Sequence, residues 1–135
     1  REGETDELIL IAGGIGIAPF RSIIRYITQK TLPVRVTLLY SARPPADFSF
    51  AAEFDALARH VTTFRCLYTV TRPAPGGAAA WTGRVGRVDK ALLREQMGSA
   101  RALYYLCGPD AMINETAGLL VRLGVDEPRI RFERW

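Results

Sequence analysis

The stretch Leu8-Ile9-Leu10-Ile11-Ala12-Gly13-Gly14-Ile15-Gly16-Ile17-Ala18-Pro19-Phe20 limits the folds open to this chain more than any other. A short apolar run breaks off in three glycines, reaches a proline and continues with apolar residues at helical spacing. That is the pattern of strand, tight turn and helix. Glycine gives the turn access to positive φ and lets the backbone come close to a bulky ligand. The helix that follows aims unpaired N–H groups and the positive end of its dipole into the turn, which favours phosphate. Proline is tolerated in a first helical turn, where its missing donor has no intrahelical partner to lose. The spacing departs from Gly-x-Gly-x-x-Gly, because Gly14-x-Gly16 is followed by Pro19. The segment expected as the second strand ends Tyr40-Ser41-Ala42-Arg43, with no acid to hold a ribose. Taken alone, such a turn also fits an ordinary strand–helix corner of an α/β protein.

The rest of the chain repeats the alternation. Phe20, Ile23, Ile24 and Ile27 give a one-sided helix to about Lys30, stopped by Thr31-Leu32-Pro33. A second strand is expected over Val34–Tyr40, a turn at Pro44-Pro45, and a helix from a Ser49 cap to about Arg59. Phe50, Phe54, Leu57 and Ala58 are expected to face inward from that helix. Thr62–Val70 reads as a third strand, and the low-complexity run Arg72 to Ala80 as a loop. Asp89 is expected to cap a helix to about Met97, and Ala102–Cys107 to form a fourth strand. Gly108-Pro109 opens a long helix to Leu123 with Gly124 as its stop, and Arg129–Glu133 is a short last strand. Strands alternating with helices require a parallel sheet, hence a single doubly wound α/β domain. Ligands of such sheets sit at the carboxyl ends of the strands. Five features fall at those ends: the glycine turn, Ser41–Arg43, Thr71-Arg72, Cys107-Gly108-Pro109 and Glu133–Trp135.

Composition narrows the function classes. Apolar residues make up 48% of the 135 and are spread throughout, so a packed core is expected rather than disorder. No apolar run nears the roughly 18 residues of a membrane helix. Arg1–Glu7 lacks the features of a signal peptide and reads as the remnant of a linker, with the domain over 8–135. Two cysteines, Cys66 and Cys107, are too few for a disulfide framework, and no metal-ligand spacing is present, so a cytoplasmic setting is the default. The net charge of +4 suits an anionic ligand but equally an ordinary surface. Basic residues interleave with acids, which argues against nucleic acid.

Three motifs carry a resemblance. Ala12-Gly13-Gly14-Ile15-Gly16-Ile17-Ala18-Pro19-Phe20-Arg21-Ser22 resembles the phosphate loop of ferredoxin–NADP reductase-type flavoenzymes. Tyr104-Tyr105-Leu106-Cys107-Gly108-Pro109, with Met112 following, is similar to that family's Cys-Gly-Pro signature. Phe132-Glu133-Arg134-Trp135 resembles its Glu-x-aromatic ending. Ile15 stands where the family often carries threonine and several NAD-using relatives carry isoleucine, and Trp135 stands where tyrosine or phenylalanine is usual. The resemblance implies a three-layer sandwich around a five-stranded parallel sheet in the order 3-2-1-4-5. It also implies that Gly13, Gly14, Ile15, Gly16 and Pro19 cradle a dinucleotide. Thr71 and Arg72 stand where a serine–arginine pair often holds the 2′-phosphate of NADP, offering a hydroxyl and a bidentate guanidinium. Ser41 and Arg43 join them at the neighbouring strand end, with Arg84 and Arg87 as possible helpers, so NADP is favoured over NAD. Cys107 is expected beside the nicotinamide as a positioning group, with Gly108, Pro109 and Met112 in the same seat. Glu133 is expected near the nicotinamide amide, and Trp135 over the flavin face. The blander alternatives are a solvated Arg72, a core Cys107 and a frayed tail.

The remaining residues say less. His60 reads as a helix-end surface residue, Glu53 and Phe54 as structural, and Cys66 as core. Trp81 either flanks an adenine or anchors the loop. The flavin motif Arg-x-Tyr-Ser/Thr of the resembling family appears nowhere, and neither does an iron–sulfur spacing. The expectation is therefore the nucleotide-binding part of a larger flavoprotein, with FAD bound mainly by another domain of the same parent chain. Such a part orients NAD(P)H for hydride transfer to flavin N5 and onward electron transfer to an unidentified acceptor, and is inactive by itself. The alternative from another class is a non-catalytic nucleotide-binding or regulatory module. A self-contained short-chain dehydrogenase, which needs a Tyr-x-x-x-Lys pair at the site, is the poorest fit.

Overall fold

The structure is a computed structural model describing residues 5–71, 81 and 83–134, with the side chains of Ile15 and Arg134 left aside. Strands β1 (Glu7–Gly13), β2 (Arg35–Ala42), β3 (Phe64–Val70), β4 (Arg84–Val85), β5 (Leu103–Gly108) and β6 (Ile130–Arg134) form one sheet. They are parallel throughout and run in the order β4-β3-β2-β1-β5-β6. The helices are α1 (Ile17–Gln29), α2 (Ala51–His60), α3 (Lys90–Gln96) and α4 (Asp110–Arg122). The expected count of five strands is corrected to six. The extra strand is two residues long, too short for a period of two to show in sequence. It pairs with Thr69 and Val70 on the outer side of β3, so the order of the other five stands as expected.

The central strands read as continuous apolar runs because both faces are covered. Leu8, Leu10 and Ala12 of β1 pack with Ile17, Phe20, Ile24 and Ile27 of α1 and Phe54 of α2. Ile9 and Ile11 pack on the opposite face with Leu92 and Leu93 of α3 and Ile113 and Leu120 of α4. Full burial of a side chain of this size stabilises by roughly 1.5–3 kcal/mol, so the two faces together hold the three layers. Chain order turns back between β1 and β5, which opens the ligand crevice at their carboxyl ends.

Helix ends follow local chemistry. Asp89 caps α3 by accepting from the Leu92 N–H at 2.9 Å, and Gly124 (φ +98°) supplies the left-handed turn after α4. The expected Ser49 cap of α2 is corrected: Phe50 occupies the N-cap in the left-handed region, φ +63°. Phe50 is also exposed rather than inward-facing. The Arg21 guanidinium lies 4.3 Å over its ring and donates to Glu53 Oε1 at 2.8 Å, tying α1 to the start of α2. Glu7 opens β1 and accepts from the Ser99 N–H at 2.8 Å. Among the described residues no helix is long and apolar enough to cross a membrane.

Candidate functional site

Register places the sequence motifs on one rim. Gly13 lies opposite Ser41 and Ser41 opposite Thr69. One step below, Ala12 lies opposite Cys107 and Cys107 opposite Glu133. The glycine turn, the end of β2, the Cys-Gly-Pro corner and the end of β6 therefore share one edge of the sheet.

At its centre the two corners touch. A Cβ built on Gly13 would collide with Met112 Sδ and lie 3.6 Å from Pro109 Cδ. A Cβ on Gly108 would lie 3.1 Å from Met112 Sδ and 3.4 Å from the Gly13 nitrogen. At both positions the space a Cβ would take is filled by the Met112 thioether, which lies across the two corners. Pro109 is the N-cap of α4 and puts Met112 in its first turn.

The seat for an anion lies beside this corner. Gly13 leads into a 3-10 turn, Gly14–Gly16, and then α1. Gly14 takes φ +59°, is exposed, and has open space where a Cβ would stand. The N-cap of α1 is Gly16, no side chain caps the helix, and its first turn contains no acid. The first N–H groups of this 13-residue helix thus have no side-chain cap, the arrangement that favours a pyrophosphate. Pro19 sits in that first turn. These features fit a dinucleotide.

Around the rim, Ser41 is half-buried and Arg43 exposed. The Thr71 N–H donates to the Ala42 carbonyl at 2.9 Å, extending the β2–β3 edge by one residue. Cys107 is buried at 1% exposure, and burial followed by the charge of Glu133 raises its thiol above the ordinary value. A protonated, covered thiol packs rather than attacks. Glu133 is exposed and its Oε1 accepts from the Tyr105 hydroxyl at 3.1 Å. Arg72 and Trp135 lie outside the described residues, and so does the Ile15 side chain.

Comparison with known proteins bears on the same features. The family model described as the oxidoreductase NAD-binding domain matches residues 10–118, from within β1 into α4. The chain belongs to that family. It is 31% identical to the reductase component of propane 2-monooxygenase from Rhodococcus jostii, over 100% of this chain and 37% of the relative. It is 33% identical to NADH-cytochrome b5 reductase 1 of Eremothecium gossypii, over 91% of this chain and 44% of the relative. Among solved structures, the cytochrome b5 reductase domain of Ulva prolifera nitrate reductase aligns with a TM-score of 0.84 at 25% identity, covering 96% of this chain and 50% of that one. The chain thus spans less than half the length of these two curated relatives.

Other residues of this NAD-binding domain have different work. Arg84 donates through Nη1 to Thr69 Oγ1 at 2.7 Å and to the Arg87 carbonyl at 2.9 Å, and its Nη2 lies 3.1 Å from Asp89 Oδ1. It is committed to holding β4 against β3, and is not turned to a phosphate. Arg87 lies 3.4 Å from Glu115. Trp81 donates to the Arg84 carbonyl at 2.9 Å and packs on Phe48, ring centroids 5.6 Å apart, so it anchors its segment. Cys66 is half-buried, and burial pushes its thiol up to about 12. His60 is the exposed last residue of α2. A Tyr-x-x-x-Lys spacing does occur, Tyr26 to Lys30, but at the far end of α1 from the rim, with Lys30 Nζ 5.3 Å from the Tyr26 ring centroid. An apolar hollow of about 320 Å³, lined by Leu8, Ile23, Tyr26, Ile27 and Leu103 among others, opens between α1 and β5. Its lining is mostly apolar, with Thr5, Ser22 and Arg131 among its polar residues, and includes no residue of the glycine turn. Tyr105 went unnoticed in sequence because its partner is 28 residues away and only the β5–β6 register joins them.

Proposed function

We propose that this chain is the NAD(P)H-binding part of an FAD-dependent oxidoreductase. In that reading residues 8–135 are the nucleotide domain and the flavin is held mainly by another domain of the same parent protein. The observation that carries it is the contact of the Gly13 and Gly108 corners under Met112, beside an uncapped, acid-free helix start. The pyrophosphate rests on Gly14–Gly16 and the N-terminus of α1, with Pro19 shaping the first turn. The nicotinamide end extends along Gly108, Pro109 and Met112 towards Cys107 and Glu133. Cys107 gives that end a compact, uncharged wall, and Glu133 offers an acceptor for the carboxamide. Trp135 is the residue we assign to the flavin face, on the sequence resemblance alone.

A bound flavin would supply the two-electron acceptor for the hydride of nicotinamide C4 and pass electrons to an acceptor outside this chain, while the residues here would bind and orient the nucleotide. Ser41, Arg43, Thr71 and Arg72 would hold the other end of the nucleotide. A hydroxyl-and-guanidinium end without an acid favours the 2′-phosphate of NADPH over the 2′-hydroxyl of NADH. Names among the relatives include both an NADH-cytochrome b5 reductase and a nitrate reductase marked [NADPH], so the family uses either.

Calorimetry with both cofactors on the wild type and on Arg72→Ala tests the nucleotide end. Selective loss of NADPH affinity, by about tenfold or more for a lost charge-assisted pair, supports the reading. Equal loss for both cofactors removes the 2′-phosphate assignment. The isolated chain is expected to bind dinucleotide and to reduce no acceptor, and turnover without added flavoprotein contradicts the reading.

A further inference from the structure

Tyr105 joins two parts of the rim that no sequence motif connects. Its hydroxyl donates to Glu133 Oε1 at 3.1 Å. Its ring meets Phe20 of α1 edge-on, with centroids 5.6 Å apart at 78°, and Phe20 is fully buried. The phenol is thus fixed to the core on one side and to Glu133 on the other. The β5–β6 register sets Tyr105 opposite Arg131 and Cys107 opposite Glu133, so Tyr105 and Cys107 share one face of β5. Glu133 itself is exposed, near the end of an edge strand. A side chain there has full rotamer freedom unless something holds it.

Resting on the function proposed above, we infer that Tyr105 is a positioning residue whose hydroxyl holds the Glu133 carboxylate on the Cys107 side of the sheet, where the nicotinamide is presented. The proton needed for that bond stays on the phenol. Burial first, then the bond to Glu133 and its charge, raise the Tyr105 hydroxyl above its ordinary value, Cys107 adds to this and Arg131 opposes it. Cys107 senses the same carboxylate, its thiol raised by burial and then by Glu133. The hydroxyl touches no reacting atom in this arrangement; its effect passes through Glu133.

The test uses the full-length protein that carries this domain. Tyr105→Phe keeps the ring and its contact with Phe20 and removes one hydroxyl. Flavin reduction by NAD(P)H, followed by stopped flow, is expected to slow about three- to tenfold, with nucleotide Kd changed by less than about twofold, the signature of lost orientation. Glu133→Gln is expected to slow it at least as much, and the double variant to be no slower than Glu133→Gln alone. A readout free of turnover is the titration of Tyr105 followed by carbon-13 NMR of labelled tyrosine, where Glu133→Gln is expected to lower the pH at which Tyr105 ionises. Additive losses in the double variant overturn the proposal, and so does a Tyr105 titration unchanged by Glu133→Gln. If Glu133→Gln is slow and Tyr105→Phe is not, the proposal fails and the role of Glu133 stands. If Glu133→Gln runs at the wild-type rate, the role of Glu133 falls and takes the proposal with it.

Discussion

At the scale of single residues the site turns on what glycine leaves out. Gly13 and Gly108 have no side chain where the Met112 thioether lies, and Gly14 takes a positive φ that an alanine tolerates poorly. Gly13→Ala is expected to cost about 1–3 kcal/mol, near the lower end because the end of a flexible side chain gives way. The displaced Met112 then crowds the dinucleotide seat, and affinity is expected to drop about tenfold, as one ill-placed group costs about 1.4 kcal/mol. Gly13→Ala with Met112→Ala makes room again, so the two stability losses, measured by urea unfolding, should sum to more than the double variant shows. Strict additivity removes Met112 from the seat. Cys66 supplies a pH prediction. The folded chain keeps its thiol proton to about 12, whereas the unfolded chain releases it near 9.0. Stability is therefore intact below pH 9.0 and falls as pH rises above it. Cys66→Ala should flatten the decline between pH 9.0 and 10, before the tyrosines add to it; an unchanged decline contradicts the burial argument. The glycines and Cys107 were legible in sequence because a tight turn and a close approach demand particular residue types. Tyr105 was not, since any large residue satisfies its strand position and only the neighbouring strand gives its hydroxyl a partner.

At the scale of elements, the misread places are those where a long-range contact overrides local preference. Ser49 is the better local cap for α2. Phe50 takes the position in a disfavoured conformation because Arg21 of α1 covers its ring and binds Glu53 behind it. The short β4 was invisible because Arg84, and not its own apolar pattern, holds it to β3. Arg84→Ala removes the donor to the Arg87 carbonyl and to Thr69 Oγ1, which still donates to the Gly86 carbonyl at 2.6 Å, at a cost of about 1–2 kcal/mol for partly exposed charge-assisted bonds. Hydrogen exchange should then accelerate at the Gly86 N–H, which donates to Val70 at 2.8 Å. Exchange at the wild-type rate contradicts the clasp. The long elements were legible for the opposite reason. β1, β2, β5, α1 and α4 carry runs in which propensity, period and burial agree.

At the scale of the whole molecule, alternation of strand and helix dictated a parallel sheet, and a parallel sheet collects strand ends on one edge. Five short motifs spread over more than a hundred residues therefore had one place to meet, and the register puts the described ones there. What alternation does not encode is the apolar hollow between α1 and β5, because that depends on how far α1 stands from the uncovered side of β5. The hollow and the rim compete as the seat of a nucleotide. Amide shifts of the nitrogen-15-labelled chain titrated with NADPH separate them most directly. The account predicts the largest shifts at Gly13–Gly16, Ser41–Arg43, Thr71 and Gly108–Met112. Shifts gathered instead at Ile23, Tyr26 and Leu103, with the glycine turn unmoved, contradict it.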